Sequence, residues 1–129
     1  MDVAEFVDID LIGKQIVDSA FQVHKALGPG LIESVYEACV THELTKRGLH
    51  VRRQVALPTR YDSLVLESGL RLDLLVEDLV IVELKAVEKM IPLFEAQLLS
   101  YLKLAPRPWG YLINFHTPLF KDGIKRMRL

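Results

Sequence analysis

Apolar residues recur at intervals of three and four along the first part of the chain, which is the period of an amphipathic helix. The first such stripe consists of Ile12, Ile16, Ala20, Val23 and Leu27. Asp8 or Asp10 can cap the start of this helix. The segment Gly28-Pro29-Gly30 is expected to end it, because proline cannot continue a helix and glycine accepts a left-handed backbone.

A second helix is predicted from about Leu31 to Arg47, with its stop at Gly48. Gly30, Glu33 and Tyr36 lie three residues apart and are therefore expected to share a face. Glu33 falls in the first turn, where a carboxylate also answers the positive end of the helix dipole. Tyr36 is expected to be a core residue with its hydroxyl hydrogen-bonded.

The middle of the chain has the pattern of β-strands. One strand is predicted from Val51 to Leu57, closed by Pro58, and another from Tyr61 to Glu67, with Ser68-Gly69 as the next turn. Two further strands follow, Leu70 to Val76 and Leu79 to Ala86. Together these segments predict an antiparallel meander of three or four strands.

A third helix is predicted to begin near Pro92 and to end before Pro106. Trp109 to Phe115 is almost continuously apolar, as expected for a strand covered on both faces. The strands before and after this helix should be parallel neighbours. Leu119 to Leu129 is a basic tail that can form a last short edge strand. The predicted fold class is therefore α/β, a mixed sheet with helices packed on it.

Composition adds limits to this picture. The chain has 129 residues, is 50% hydrophobic and carries a formal net charge of -1, which predicts one domain, residues 1–129, without an overall attraction to nucleic acid or membrane. Bases dominate after Tyr101, so a basic surface or a solvated tail is expected there. Cys39 is the single cysteine. With no secretion signal and no apolar run of roughly 20 residues, a cytoplasmic location is expected.

In the apolar hairpin from Gly69 to Lys85, Asp73 lies on the first strand, and Glu83 and Lys85 lie on the second. Glu83 and Lys85 alternate along one strand and share a face, with Val82 and Leu84 pointing the other way into a core. A two-residue turn would pair Asp73 with Val82, on the opposite face. A three-residue or bulged turn would bring Asp73 opposite Glu83, and it is favoured because the turn has no glycine.

Two converging carboxylates beside a lysine suit a hard divalent cation such as Mg²⁺ or Mn²⁺. Asp73 and Glu83 are the predicted metal ligands, with the carbonyl of Leu84 and the carboxylate of Glu33 as further candidates. Lys85 would orient a water or stabilise developing negative charge. The alternative is an exposed cross-strand ion pair, worth about 0.2–1 kcal/mol.

The third helix adds two candidate residues. Gln97 and Tyr101 stand four apart and share a face, while the leucines around them are expected to take the other face. They could reach metal-bound waters or a phosphate. The alternative is that they form the solvated side of the helix.

These segments together resemble a known family. The motif Gly30-Leu-Ile-Glu33-Ser-Val-Tyr36 matches the one that names the GxxExxY proteins. Further matches follow over most of the chain: Gly69-Leu-Arg-Leu-Asp73, Ile81-Val-Glu83-Leu-Lys85, Glu95-Ala-Gln97-Leu-Leu-Ser-Tyr101 and Leu112-Ile-Asn114-Phe115. That family is placed in the PD-(D/E)XK nuclease-like superfamily, although the proline of the signature is absent before Asp73.

The resemblance implies an α-β-β-β-α-β core with an extra N-terminal helix and a Mg²⁺-dependent site. By similarity, Asp73, Glu83 and Lys85 are the acidic pair and lysine of the signature. Glu33 is the helical acid found in many members, and Gln97 with Tyr101 matches the Gln-x-x-x-Tyr element of the exonuclease-like branch.

Two main hypotheses follow. The first is a metal-dependent nuclease acting on nucleic acid, with DNA favoured over RNA. Candidate phosphate contacts are Arg52, Arg53, Arg60, Lys121, Lys125 and Arg126. The second is a nuclease-fold binding or regulatory module without the reaction, which the weak net charge favours. A compact domain whose charges form only an ion-pair cluster is a third. Because small nucleases of this kind often act as dimers, a homodimer is a further expectation.

Overall fold

The computed structural model describes residues 8–129. Three helices and a five-stranded sheet account for most of them. In chain order the elements are α1 (Ile9–Leu27), α2 (Glu33–Lys46), β1 (Val51–Tyr61), β2 (Leu64–Val76), β3 (Val80–Lys85), α3 (Pro92–Leu104), β4 (Trp109–Asn114) and β5 (Ile124–Arg128), with a 3₁₀ turn at Phe120–Gly123 between the last two strands.

The helix boundaries follow the predicted signals. The Asp8 carboxylate caps α1 by accepting hydrogen bonds from the backbone N–H of Asp10 and Leu11, at 2.9 and 3.3 Å. Gly28 ends α1 with a φ of 66°. Gly30, however, lies before α2 begins, so the prediction that it shares a helical face with Glu33 and Tyr36 is wrong.

The strands lie in the order β1-β2-β3-β4-β5. The β3–β4 pair is parallel, as predicted for strands on either side of α3, and the other neighbours are antiparallel. The last edge strand, β5, confirms the prediction for the basic tail. The mixed α/β sheet predicted from the sequence is therefore confirmed.

The first hairpin is longer than predicted. Pro58 lies inside β1, and Ser68-Gly69 lie inside β2, so the first three predicted strands are two long ones. Proline is tolerated because β1 is an edge strand and needs no N–H on its outer side. Opposite Pro58 the register shifts between Leu57 and Thr59, and this irregularity takes up the extra residues of β2.

The sheet has a hydrophobic core on each face. On one face α1 and α2 cover Val80, Val82 and Leu84, as predicted. On the other face α3 covers Ile81 and Leu112. All six residues of β4 are buried, which confirms that this strand is covered on both sides.

Within residues 8–129, no helix combines the length and the apolar character needed to cross a bilayer.

Tyr36 fixes the loop between α1 and α2. Its buried ring stacks on Phe115 with centroids 4.4 Å apart. Its hydroxyl donates to the carbonyl of Gly28 at 2.6 Å and accepts from the backbone N–H of Leu31 at 3.1 Å. The expectation that Tyr36 is a core residue with a satisfied hydroxyl is confirmed.

Replacing Tyr36 by phenylalanine is expected to lower the free energy of unfolding by about 1–3 kcal/mol, because two backbone groups lose their partner. Urea denaturation measures this change. Tyr61→Phe is the matched control, since Tyr61 is 78% exposed, and it should shift stability by less than about 0.5 kcal/mol. Equal effects of the two substitutions would contradict this role of the hydroxyl.

Candidate active site

Asp73 and Glu83 face each other across β2 and β3. The register pairs Val76 with Val80 and Leu74 with Val82, which leaves a three-residue loop and sets Asp73 opposite Glu83. The predicted three-residue connection is confirmed, and the two-residue alternative is excluded. Glu77 and Asp78 in this loop have φ values of 53° and 55°, so they take the left-handed conformation that glycine usually supplies.

The two carboxylates replace backbone pairing at this point of the sheet. The backbone N–H of Asp73 donates to Oε2 of Glu83 at 3.0 Å. The backbone N–H of Leu84 donates to Oδ2 of Asp73 at 2.9 Å. Each carboxylate is therefore held by a main-chain donor from the opposite strand, and the carboxyl groups meet where the regular ladder ends.

Glu83 is only 4% exposed. Burial, followed by a hydrogen bond to Asp73 and the negative charge of Asp73, raises the pKa of Glu83 to about 9. The buried carboxyl group of Glu83 beside the half-buried one of Asp73 is costly when both are charged. A proton shared between them, or a cation, would relieve this repulsion.

The donor set fits a hard cation. With Oδ2 of Asp73 and Oε2 of Glu83 bonded to backbone N–H groups, Oδ1 and Oε1 remain as carboxylate ligands. Within residues 8–129 no three His, Cys, Asp or Glu side chains converge as a metal cluster. Mg²⁺ often binds through only one or two carboxylates and completes its shell with waters and substrate oxygens, so two ligands suffice for such a site.

Glu33 is the first residue of α2 and is exposed as a whole. Partial burial of its carboxyl and then the charge of Asp73 raise its pKa, while Lys85 acts in the opposite direction. Glu33 therefore lies within electrostatic reach of Asp73 and Lys85 but does not form a three-carboxylate cluster with the strand pair. Its place in the first turn also fits the helix dipole.

Lys85 ends β3 beside the carboxylates. The pKa values of Glu33 and Glu83 are both raised overall, and the positive charge of Lys85 opposes part of each rise. Lys85 therefore acts on both acids. The ammonium lies 4.5 Å from the centre of the Phe94 ring on α3, and the Lys85 carbonyl accepts from the N–H of Phe115 at 2.9 Å. The end of β3 is thus fixed by β4, while the side chain packs against α3.

Gln97 and Tyr101 lie on the inner side of α3, contrary to the alternative of a solvated stripe. Tyr101 is 8% exposed and packs in the same core as Leu98 and Leu102. Gln97 donates to its hydroxyl at 3.0 Å. Burial and then the charge of Glu83 raise the pKa of Tyr101, which keeps the phenol protonated.

The prediction that the leucines around Gln97 occupy the opposite face is wrong. Leu98 and Leu102 flank Tyr101 in the core, whereas Leu93 is 66% exposed. The helix has a wide inner face because apolar residues of β1, β2, β3 and β4 share one core with it.

Two residues near Asp73, Gln54 and Glu37, were not predicted from the sequence as part of the site. Nε2 of Gln54 on β1 donates to Oε1 of Glu37 at 2.6 Å and lies 3.5 Å from Oδ1 of Asp73. Glu37 follows Glu33 by one helical turn, a spacing that could have indicated a common face. No comparable signal in the sequence marks Gln54, because the direction of its side chain depends on the left-handed backbone at this residue.

Most of the bases predicted to contact phosphate have acidic partners. The pairs are Arg52 with Asp78 at 3.8 Å, Arg53 with Glu37 at 3.2 Å, Lys125 with Glu95 at 2.6 Å and Arg126 with Asp10 at 3.9 Å. Arg60 and Lys121 lie on the surface. The positive surface for a nucleic-acid backbone is therefore smaller than the sequence suggests.

One comparison with known proteins gives a match, and it is to a family. No curated protein and no solved structure matches the chain. A sequence model of the PD-(D/E)XK nuclease superfamily matches residues 10–127. The order α2, three antiparallel strands, α3 and parallel β4, preceded by α1, is the predicted α-β-β-β-α-β core with one extra helix. The narrower GxxExxY family stays a prediction.

The match covers nearly the full length of the chain, and the fold agrees with it. This protein therefore belongs to the PD-(D/E)XK nuclease superfamily.

Proposed function

We propose that this protein is a Mg²⁺-dependent nuclease, with Mn²⁺ as an alternative ion, that hydrolyses phosphodiester bonds in nucleic acid. The contact between Asp73 and Glu83 at the end of the β2–β3 ladder is the single observation that carries the proposal. It joins two carboxylates from neighbouring strands, and Lys85 follows two residues later. DNA is the first substrate to test and RNA the second.

Asp73 and Glu83 would hold the metal, with the carbonyl of Leu84 and the carboxylate of Glu33 as additional ligands or as acceptors from metal-bound water. When bound, the metal would lower the pKa of a water and neutralise charge on the phosphodiester. Glu83 must first give up the proton that its raised pKa retains. Ion binding and deprotonation of Glu83 are therefore linked.

The remaining side chains would act on the water and the phosphate. Lys85 would orient the attacking water or stabilise charge that develops on the phosphate oxygens. The protonated hydroxyl of Tyr101 is a donor, and Gln97 fixes its direction. The two helical residues would contact metal-bound waters or a phosphate oxygen from the α3 side.

Lys85→Met is expected to reduce cleavage by about 10²–10³-fold, because it removes one positive group from the reacting phosphate. Mn²⁺ binding should persist, since both carboxylates remain. The assay is cleavage of labelled DNA and RNA in Mg²⁺ or Mn²⁺, with calorimetry for the ion. Lys103→Met, on the exposed side of α3, is the control and should cleave like the wild-type protein.

Cleavage at the wild-type rate by Lys85→Met would remove the assigned role of this lysine. Absence of cleavage by the wild-type protein on DNA and RNA, with either ion, would remove the nuclease proposal itself.

A nuclease-fold binding or regulatory module is the second candidate. The ion pairs of Arg52, Lys125 and Arg126 favour it, because these bases have acidic neighbours instead of an open approach to phosphate. Calorimetry separates the two candidates. A site without the reaction should bind neither Mg²⁺ nor Mn²⁺ appreciably, whereas the nuclease requires one of them.

The single domain over residues 1–129, the cytoplasmic location and the homodimer stay predictions from the sequence and its resemblance.

A further inference from the structure

Gln54 interrupts β1 directly opposite Asp73. Its φ of 50° is left-handed, which is uncommon for a residue other than glycine. The β1–β2 register pairs Arg53 with Leu74 and Val55 with Leu72, and it omits the position between them. Arg71 donates to the carbonyl of Gln54 at 3.1 Å. This conformation costs about 1–3 kcal/mol, so its neighbours must hold it in place.

The side chain of Gln54 uses this conformation to reach two carboxylates. Its Nε2 donates to Oε1 of Glu37 at 2.6 Å, and the same nitrogen is 3.5 Å from Oδ1 of Asp73. A carboxamide nitrogen has two hydrogens, so it can serve both acceptors and adds no negative charge. A carboxylate at this position would repel both.

Glu37 is a fixed anchor for this bridge. It is only 7% exposed, and its second oxygen, Oε2, accepts from the guanidinium of Arg53 at 3.2 Å. Both of its oxygens are therefore bonded to donors from β1. Because Glu37 is buried on α2 and accepts from Gln54 through Oε1, the direction of the Gln54 carboxamide is set by the helix as well as by its own strand.

We infer that Gln54, anchored by Glu37, is a positioning residue that sets the orientation of the Asp73 carboxylate toward a bound cation. The inference rests on the proposed function. The N–H of Leu84 holds Oδ2 of Asp73, and Gln54 approaches Oδ1, so the carboxylate plane is defined by contacts at both oxygens. Oδ1 keeps a lone pair for the ion.

In a purely structural role, Gln54 and Glu37 would only connect α2 to β1. Arg53 makes the same helix-to-strand tie through Glu37 but has no hydrogen bond to Asp73. Arg53→Met therefore breaks a comparable link at Oε2 of Glu37, while the 2.6 Å bond from Gln54 to Oε1 and the contact with Asp73 stay available. This makes it the matched control for a role in positioning.

Gln54→Met removes the bridging donor at similar length. Gln54→Asn keeps an amide and a residue that tolerates a left-handed φ, but it is one methylene too short to bridge. Both variants are expected to weaken Mn²⁺ binding by about 10-fold. This is the lower end of the range of about 10–100-fold for losing a residue that orients a metal ligand. Calorimetry on the whole chain measures this loss, and Arg53→Met should bind Mn²⁺ like the wild-type protein.

The amide proton of Leu84 gives a second readout that needs no metal. Because this proton is donated to Asp73, rotation of the carboxylate should weaken the bond and move its NMR resonance upfield. Both Gln54 variants should show that shift in EDTA, and Arg53→Met should not. If Gln54→Met fails to fold, Gln54→Asn carries the test.

An unchanged Leu84 resonance in the folded Gln54 variants would overturn the inference, as would an equal shift in Arg53→Met. If the wild-type protein binds no Mn²⁺, the proposed function fails separately. The Leu84 resonance then decides on positioning alone: an upfield shift confined to the Gln54 variants supports it, and no shift overturns it.

Discussion

Asp73→Asn is expected to abolish cleavage and to weaken Mn²⁺ binding by more than about 100-fold, since changes to residues that only orient a metal ligand already cost about 10–100-fold. Asparagine keeps the shape of the side chain, and its amide oxygen can still accept from the N–H of Leu84. The substitution therefore removes a negative ligand from the site while leaving the strand contact available. Calorimetry and a cleavage assay on the same preparation measure both effects.

The control for this experiment is Asp62→Asn, at the exposed turn between β1 and β2. Asp62 has a φ of 54°, a conformation that asparagine also tolerates. It should bind Mn²⁺ and cleave like the wild-type protein. Residual cleavage by Asp73→Asn equal to that of the wild-type protein would show that the Asp73–Glu83 pair does not carry the reaction.

Glu83→Gln is expected to stabilise the metal-free protein, and to do so more at high pH. In the unfolded chain Glu83 ionises near its ordinary pKa of 4.5, whereas burial and Asp73 raise its pKa in the folded protein to about 9. The folded state thus holds a proton that the unfolded state has released, and stability falls as pH rises from about 4.5 to about 9. Glutamine has no such proton.

The expected gain in unfolding free energy is about 2–4 kcal/mol at pH 8 and under about 1 kcal/mol at pH 5, since each pKa unit corresponds to about 1.4 kcal/mol. Urea denaturation in EDTA at both pH values measures it. Glu67→Gln, on the exposed part of β2, should show no comparable difference between the two. A gain at Glu83→Gln that is independent of pH would mean that its proton is not the cause.

One physical conflict underlies both expected effects. The buried Glu83 and the half-buried Asp73 cost stability in the absence of a cation, and the same two carboxylates supply the oxygen ligands that a cation needs. Glu83→Gln should therefore gain stability and lose the ion together. Such a trade between stability and function is common at active sites.

The sequence predicted the helices and the buried strands well because their signals are local. Asp8, Gly28 and Pro92 mark helix ends through backbone chemistry that depends on one or two residues. The apolar run that became β4 indicated burial on both faces without any knowledge of its neighbours. The first hairpin was predicted with too many strands because Pro58 was expected to end its strand. A proline is tolerated inside an edge strand, and the sequence does not show which strand lies at the edge.

Residue order alone was enough to predict which side chains share a face within one element: Glu83 with Lys85 by strand alternation, and Gln97 with Tyr101 by helical spacing. It also favoured the three-residue turn that brings Asp73 opposite Glu83. These relations span few bonds, so residue order and backbone geometry are enough to set them.

Which of those faces meet depended on the packing of distant segments. This packing turned Tyr101 toward the sheet instead of the solvent, and it brought Gln54 and Glu37 to Asp73 from separate elements. Contacts between distant segments depend on how whole faces pack and on local backbone irregularities, such as the left-handed Gln54. Periodicity along the chain contains no information about either, because it records only the relation of a residue to its near neighbours.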